Sequence, residues 1–238
     1  MKHTLIFIDT ETTGIGPEDR LIQVGYRTTD GLDANAFYST ERKIEIGAMA
    51  THHITEKMIA EKPKFIESTE YKDLKNRFVK NQVFIAHNAK FDVQMIEREG
   101  LRVGPVIDTL KIARHLDPNE KISRYSLQFL RYFLGIEIQA VAHDAWGDIL
   151  VLEQLFYRLL KKVIEEKNIT QEKAIDYMID VSLKPTLFKT FNFGKYQGKK
   201  ILDIADSDPG YLRWLLSQKE NQEDEEDWIY TLKNYLHL

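Results

Sequence analysis

The apolar run at residues 3–9 limits the possible folds more than any other feature of the chain. It is short, rich in β-branched and aromatic side chains, and reads as a buried strand. It runs into Glu11 and the turn-prone stretch Thr12-Thr13-Gly14-Ile15-Gly16-Pro17. Two further strands are expected at 21–28 and 34–38, with Asp30-Gly31 marking a tight hairpin turn between them. Helical periodicity follows at 47–60, where Pro63 stops it, and at 68–80. A buried strand at 83–86 leads to a helix at 90–99, with Asn88 as its cap and Gly100 as its end. Residues 106–107 read as a strand, and Asp108 caps a helix running to His115. Helices at 126–134 and 144–166 complete the series. Three strands in hairpin order, then alternating helix and strand, imply an α/β fold: a mixed five-stranded sheet flanked by helices.

The length of 238 residues, against about 150 per domain, allows one large domain with an appendage. Cysteine is absent, which excludes a disulfide framework and a thiolate metal site. The four-residue apolar run at 5–8 is too short for a signal peptide or membrane helix, so no membrane partner and a cytoplasmic location are expected. With 33 basic against 37 acidic residues, the net charge of −4 argues against binding nucleic acid by bulk charge. It leaves room for acids gathered at a metal and basic residues placed locally.

Composition changes after the long helix. Residues 167–182 read as a polar helical connector, with Thr170 as its cap. Residues 184–200 then carry five lysines and no acid, interleaved with Phe188, Phe191, Phe193 and Tyr196, whereas 219–227 carry one lysine and six acids. The expected organisation is a domain at 1–166, a connector at 167–182 and a small module at 183–238.

Four acids stand at element ends. Asp9 and Glu11, two apart on a strand, project from the same face and repel each other unless a cation lies between them. The plain alternative is a solvent-exposed pair. Asp92 falls in the first turn of its helix, where it could serve only the helix dipole. His143 and Asp148 share one site if Asp144 caps the helix, and His143 is otherwise a surface residue. Taken together, Asp9, Glu11, Asp92 and Asp148 make a set of hard oxygen ligands suited to Mg²⁺ or Mn²⁺ rather than zinc, with His143 titrating near neutral pH beside them.

Three segments carry a family resemblance: Ile6-Phe7-Ile8-Asp9-Thr10-Glu11-Thr12-Thr13-Gly14, the stretch from Ile85 to Asp92, and His143-Asp144-Ala145-Trp146-Gly147-Asp148. They resemble the three motifs of the DEDDh 3′→5′ exonucleases, which include the proofreading exonuclease of bacterial replicative polymerase, ribonuclease T and oligoribonuclease. Phe193-Gly194-Lys195-Tyr196-Gln197-Gly198-Lys199 and Asp208-Pro209-Gly210-Tyr211-Leu212-Arg213-Trp214-Leu215 look like the small C-terminal module of exodeoxyribonuclease X-type members. The resemblance implies a ribonuclease H-like fold and two-metal phosphodiester hydrolysis. Asp9, Glu11, Asp92 and Asp148 would hold two Mg²⁺ ions, Mn²⁺ substituting, and His143 would take the proton of the attacking water.

The same resemblance implies softer assignments. The backbone of Thr12 and Thr13, with Gly14, would meet the 3′-terminal sugar, and His52, His87, Asn88 and Phe91 would line the nucleotide pocket. Ile15 reads equally as a wedge against the terminal base and as a residue tucked under its loop. Lys195, Lys199 and Lys200 are expected on phosphates, with the aromatics of the module mostly forming its core, and the acidic run 219–227 is expected as a solvated loop. The expected substrate is the 3′ end of DNA, single-stranded or frayed duplex. An exoribonuclease and a proofreading subunit tethered to a polymerase are the competing readings.

Overall fold

A computed structural model describes residues 3–78, 82–138 and 145–238. Its strands are β1 (Thr4–Thr12), β2 (Leu21–Thr28), β3 (Asp33–Phe37), β4 (Gln82–Ala86) and β5 (Val106–Asp108). They form one sheet in the order β3-β2-β1-β4-β5, antiparallel among the first three and parallel across β1, β4 and β5. The helices are α1 (Ile46–His52), α2 (Glu56–Ile59), α3 (Thr69–Arg77), α4 (Lys90–Arg98), α5 (Thr109–His115), α6 (Leu127–Phe133), α7 (Ala145–Lys167) and α8 (Gln171–Ser182). Three more, α9 (Ile201–Ser207), α10 (Pro209–Lys219) and α11 (Glu226–Leu236), lie near the C-terminus. Among the described residues no helix is long and apolar enough to cross a membrane.

The central strand β1 explains the layering. Leu5, Ile6, Phe7 and Ile8 are all fully buried, which requires cover on both faces. Ile6 and Ile8 join Leu74 of α3 and Ile96 of α4 in one core cluster. Phe7, of opposite parity, packs edge-on against Phe156 of α7 at 5.4 Å. On α7, Leu152, Leu155, Phe156 and Leu159 fall at helical spacing and are buried as one stripe. The antiparallel hairpin turns at Gly31, whose φ of 93° only glycine adopts at little cost.

Two local expectations change. Residues 47–60 form two short helices rather than one, because His53 turns left-handed at φ 61°. Asn88 does not cap α4: it has φ 65°, and the carboxylate of Asp108 accepts from the amides of Asn88 and Ala89 instead. Asp108 does serve α5 as expected, accepting from the amide of Leu110 at 2.9 Å. The expected cap Asp144 lies outside the described residues.

The chain divides into two compact units, residues 1–113 with 124–182, and residues 114–123 with 183–238. This departs from the expected boundaries twice. Helix α8 is no free connector, since Ala174, Ile175 and Met178 are buried against neighbours in the first unit that include β5 and α7. The segment 114–123 belongs with the C-terminal residues: Glu120 accepts from the amide of Lys189 at 2.9 Å, and Arg114 lies over the ring of Phe188.

The second unit is built around aromatic rings. Phe191 stacks on Trp228 at 5.7 Å, and Phe193 meets the same indole edge-on at 4.9 Å. Trp228 is therefore the centre of this core, whereas Trp214 is 53% exposed. The acidic run is only partly a solvated loop: α11 begins at Glu226, and Asp227 accepts from the amide of Thr186 at 2.8 Å.

Candidate active site

The acids of β1 take their direction from the pleat. Asp9 and Glu11 share the parity of Phe7, so they leave the strand on the α7 face. Both are half-buried. A register shift between Glu11 and Thr12 then ends the regular pairing with β2 and starts the turn.

Gly25 brings α7 to this place. It pairs in register with Asp9, and a Cβ built on it would lie 2.6 Å from Cδ1 of Ile149 and 3.1 Å from the backbone of Ala145. The first turn of α7 therefore sits on the sheet beside Asp9, and Asp148 belongs to that turn. Asp148 is 8% exposed and accepts a short hydrogen bond from the side-chain amide of Gln128 on α6. Neither Gly25 nor Gln128 stands out in the sequence as a site residue, although a glycine inside a strand is a signal of close approach.

Asp92 arrives from the other face of the sheet. Thr10, of opposite parity to Asp9 and Glu11, donates from its hydroxyl to Oδ1 of Asp92 at 2.7 Å. Only 4% of Asp92 is exposed. Burial pushes its carboxyl up to about 7, with a further push from the neighbouring Asp108 and an opposing pull from Thr10.

The turn after β1 is held from several sides. Thr12 and Thr13 are buried, and their carbonyls accept from Nε2 of His52 at 3.1 Å and from the amide of Glu45 at 2.8 Å respectively. His52 also accepts the amide of Ile54 at Nδ1, which makes Nε2 the protonated nitrogen, and its burial favours the neutral ring. It acts here as a brace behind Thr12. Ile15 is 84% exposed at the tip, so it is not tucked under its loop. Ile46, which follows Glu45 and opens α1, is 82% exposed and was not apparent from sequence. His87 reaches the carbonyl of Tyr125 at 2.7 Å through Nε2; Asn88 is exposed and Phe91 half-buried.

In the second unit, Lys195 lies over the ring of Tyr196 at 4.6 Å and pairs with Asp208 at 3.2 Å, so it is engaged within the module. Lys199 and Lys200 are exposed beside the turn in which the amide of Phe191 meets the carbonyl of Lys199.

The donor chemistry of Asp9, Glu11, Asp92 and Asp148 fits a hard divalent cation, since all four offer carboxylate oxygen. A buried carboxyl raised to about 7 is also one that a cation would ionise. Among the described residues, no three acidic or imidazole groups already stand around one point as a finished cage. His143 lies outside the described residues.

The exonuclease family matches residues 6–156, and the exodeoxyribonuclease X-like C-terminal family matches residues 191–220. Exodeoxyribonuclease 10 of Escherichia coli K12 is 33% identical, with 98% of each chain covered. The DNA polymerase III epsilon subunit of Treponema pallidum is 36% identical over 64% of this chain and 74% of its own. A solved structure of exonuclease X in complex with 5′ overhanging duplex DNA aligns with TM-score 0.56 at 25% identity, covering 73% of this chain and 99% of that one. With a ribonuclease H-like sheet, Asp9 and Glu11 at the end of β1 and both segments matched, the chain belongs to the exonuclease family and carries an exodeoxyribonuclease X-like C-terminal module.

Proposed function

We propose that this protein removes nucleotides from DNA 3′ ends with Mg²⁺ as cofactor and Asp9, Glu11, Asp92 and Asp148 as its ligands. The observation that carries the reading is the register of Asp9 with Gly25, which lets the first turn of α7 bring Asp148 to the same strand end. When bound, two such ions stabilise the attacking and leaving oxygens of an in-line phosphodiester displacement. Asp9 and Glu11 supply negative charge from one strand face, and Gln128 holds the Asp148 carboxylate by an amide hydrogen bond. Thr10 fixes the rotamer of Asp92 by its hydroxyl. His143 takes the proton of the attacking water, a role that rests on its place in the third motif.

The substrate contacts follow the exposed groups. Ile15 and Ile46 present apolar surface to the terminal base, and the backbone of Thr12, Thr13 and Gly14 meets the sugar. Asn88 and Phe91 line the nucleotide pocket, while His52 and His87 shape it through their carbonyl partners. Lys199 and Lys200 contact phosphates of the DNA, and Lys195 supports the fold of the module that carries them.

The test uses 5′-labelled single-stranded DNA, frayed duplex and matched RNA, with Mg²⁺, Mn²⁺ or chelator. A ladder that shortens from the 3′ end of DNA with either ion, and stops with chelator or in Asp148→Ala, is expected. Preferential shortening of RNA would move the assignment to an exoribonuclease. Hydrolysis that continues in chelator, or in Asp148→Ala, would refute the ligand set.

A further inference from the structure

Asp19 has no part in the chemistry described so far, yet it is fully buried as a carboxylate within ten residues of Asp9. Its oxygens are used on both sides of the turn. Oδ1 accepts from the hydroxyl of Thr13 at 2.7 Å, and Oδ2 accepts from the amide of Gly16 at 2.7 Å. Arg42 approaches Oδ1 at 3.4 Å from the direction of solvent. A carboxylate with no exposure persists only when donors satisfy it, and these are the donors.

The same turn is then closed by the backbone. The amide of Thr13 donates to the carbonyl of Arg20 at 2.9 Å, and the amide of Arg20 donates back to the Thr13 hydroxyl at 3.0 Å. Arg98 of α4 donates to the carbonyl of Gly16 at 2.7 Å. A Cβ on Gly14 would lie 2.6 Å from Oδ2 of Asp19, so only glycine lets the chain pass this close to the carboxylate. Residues 13–16 are thus folded around one side chain. Ile15, at the tip, is 84% exposed and has little packing of its own to fix its position. Whatever direction it takes is set by the turn beneath it.

We propose that Asp19 is a positioning residue for the 3′-terminal nucleotide: by clamping Thr13 to Gly16 it aims Ile15 and the backbone of residues 12–14 at the substrate end. The inference rests on the exonuclease reading and adds to it a residue outside the three motifs. Asp19 touches no substrate; it acts through Thr13, Gly16 and Ile15. Asp19→Asn keeps the acceptor for Thr13 and loses the one for Gly16, whereas Asp19→Ala loses both.

The test measures kcat and KM on 5′-labelled DNA for the full chain and for Asp19→Asn, Asp19→Ala, Ile15→Ala and Asp19→Ala/Ile15→Ala. Loss of aligned contacts weakens binding about tenfold for every 1.4 kcal/mol, so a KM rise of about tenfold is expected in Asp19→Ala, with a smaller rise in Asp19→Asn. Because both residues act on one contact, the double variant should be no worse than the poorer single variant. Amide exchange should quicken at Gly16 and Arg20 and stay unchanged in the first turn of α7. If Asp19→Ala fails to fold, Asp19→Asn with Ile15→Ala carries the same comparison. An unchanged KM in the Asp19 variants, or effects that multiply in the double variant, would overturn the inference. Failure of the unmodified chain to shorten DNA would overturn the exonuclease reading instead, and the two failures are told apart by that control.

Discussion

Replacing Asp92 by asparagine isolates the cost of burying a carboxylate at this proposed metal ligand. In the folded, metal-free protein the Asp92 carboxyl is raised from 3.8 to about 7, first by burial and then by Asp108. The folded state therefore binds a proton that the unfolded chain has already released between about pH 4 and 7, and stability falls as pH rises through that window. A displacement of this size corresponds to roughly 4 kcal/mol between pH 4 and 8, which sets a ceiling, and about 2–4 kcal/mol is expected. The side-chain amide of Asp92→Asn would still accept from the Thr10 hydroxyl and would have no charge to desolvate. In chelator, Asp92→Asn should thus be the more stable protein at pH 8, and the two should converge toward pH 4. For a unit of this size each kcal/mol moves the melting point by about 2–4 °C, so a difference of roughly 5–12 °C is expected at pH 8. Thermal and urea unfolding between pH 4 and 8 measure it, and the difference between the two profiles removes groups common to both. Added Mg²⁺ or Mn²⁺ should stabilise the unmodified protein more than the variant, whose hydrolysis should be lost. Parallel stability profiles for the two proteins would refute the burial of an Asp92 carboxyl with a raised pKa.

Two other outcomes follow from packing and charge. Gly25→Ala places a methyl 2.6 Å from Ile149 and should cost about 1–3 kcal/mol in unfolding experiments, with hydrolysis falling further than stability explains because Asp148 moves with α7. Lys199→Ala/Lys200→Ala should lower the slope of log affinity against log salt by about 0.7–0.9 per lost phosphate contact on long DNA, whereas Lys195→Ala should chiefly lower the melting point of the module.

The local elements were legible in the sequence because their causes are local. The apolar run before Asp9, the Asp30-Gly31 turn and the stripe on α7 each predict an element from nearest neighbours and periodicity alone. The same strand parity that buries Phe7 told which face Asp9 and Glu11 would share. Contacts between distant segments left no such pattern. Nothing near Asn88 announces that Asp108, twenty residues later, would supply acceptors for its turn, and nothing near residues 114–123 assigns them to the C-terminal unit. Lys195 reads in sequence as one of several cations, and only the fold places Asp208 and Tyr196 against it. Nothing in the sequence around Asp19 signals the burial against Thr13 and Gly16 that the fold gives it. Sequence alone thus determined the strands and most helices of residues 1–182, the shared strand face of the β1 acids and the family they resemble. Tertiary structure decided which polar groups are consumed in holding the site, because a hydrogen bond between distant residues depends on where the backbone returns rather than on the periodicity of either segment.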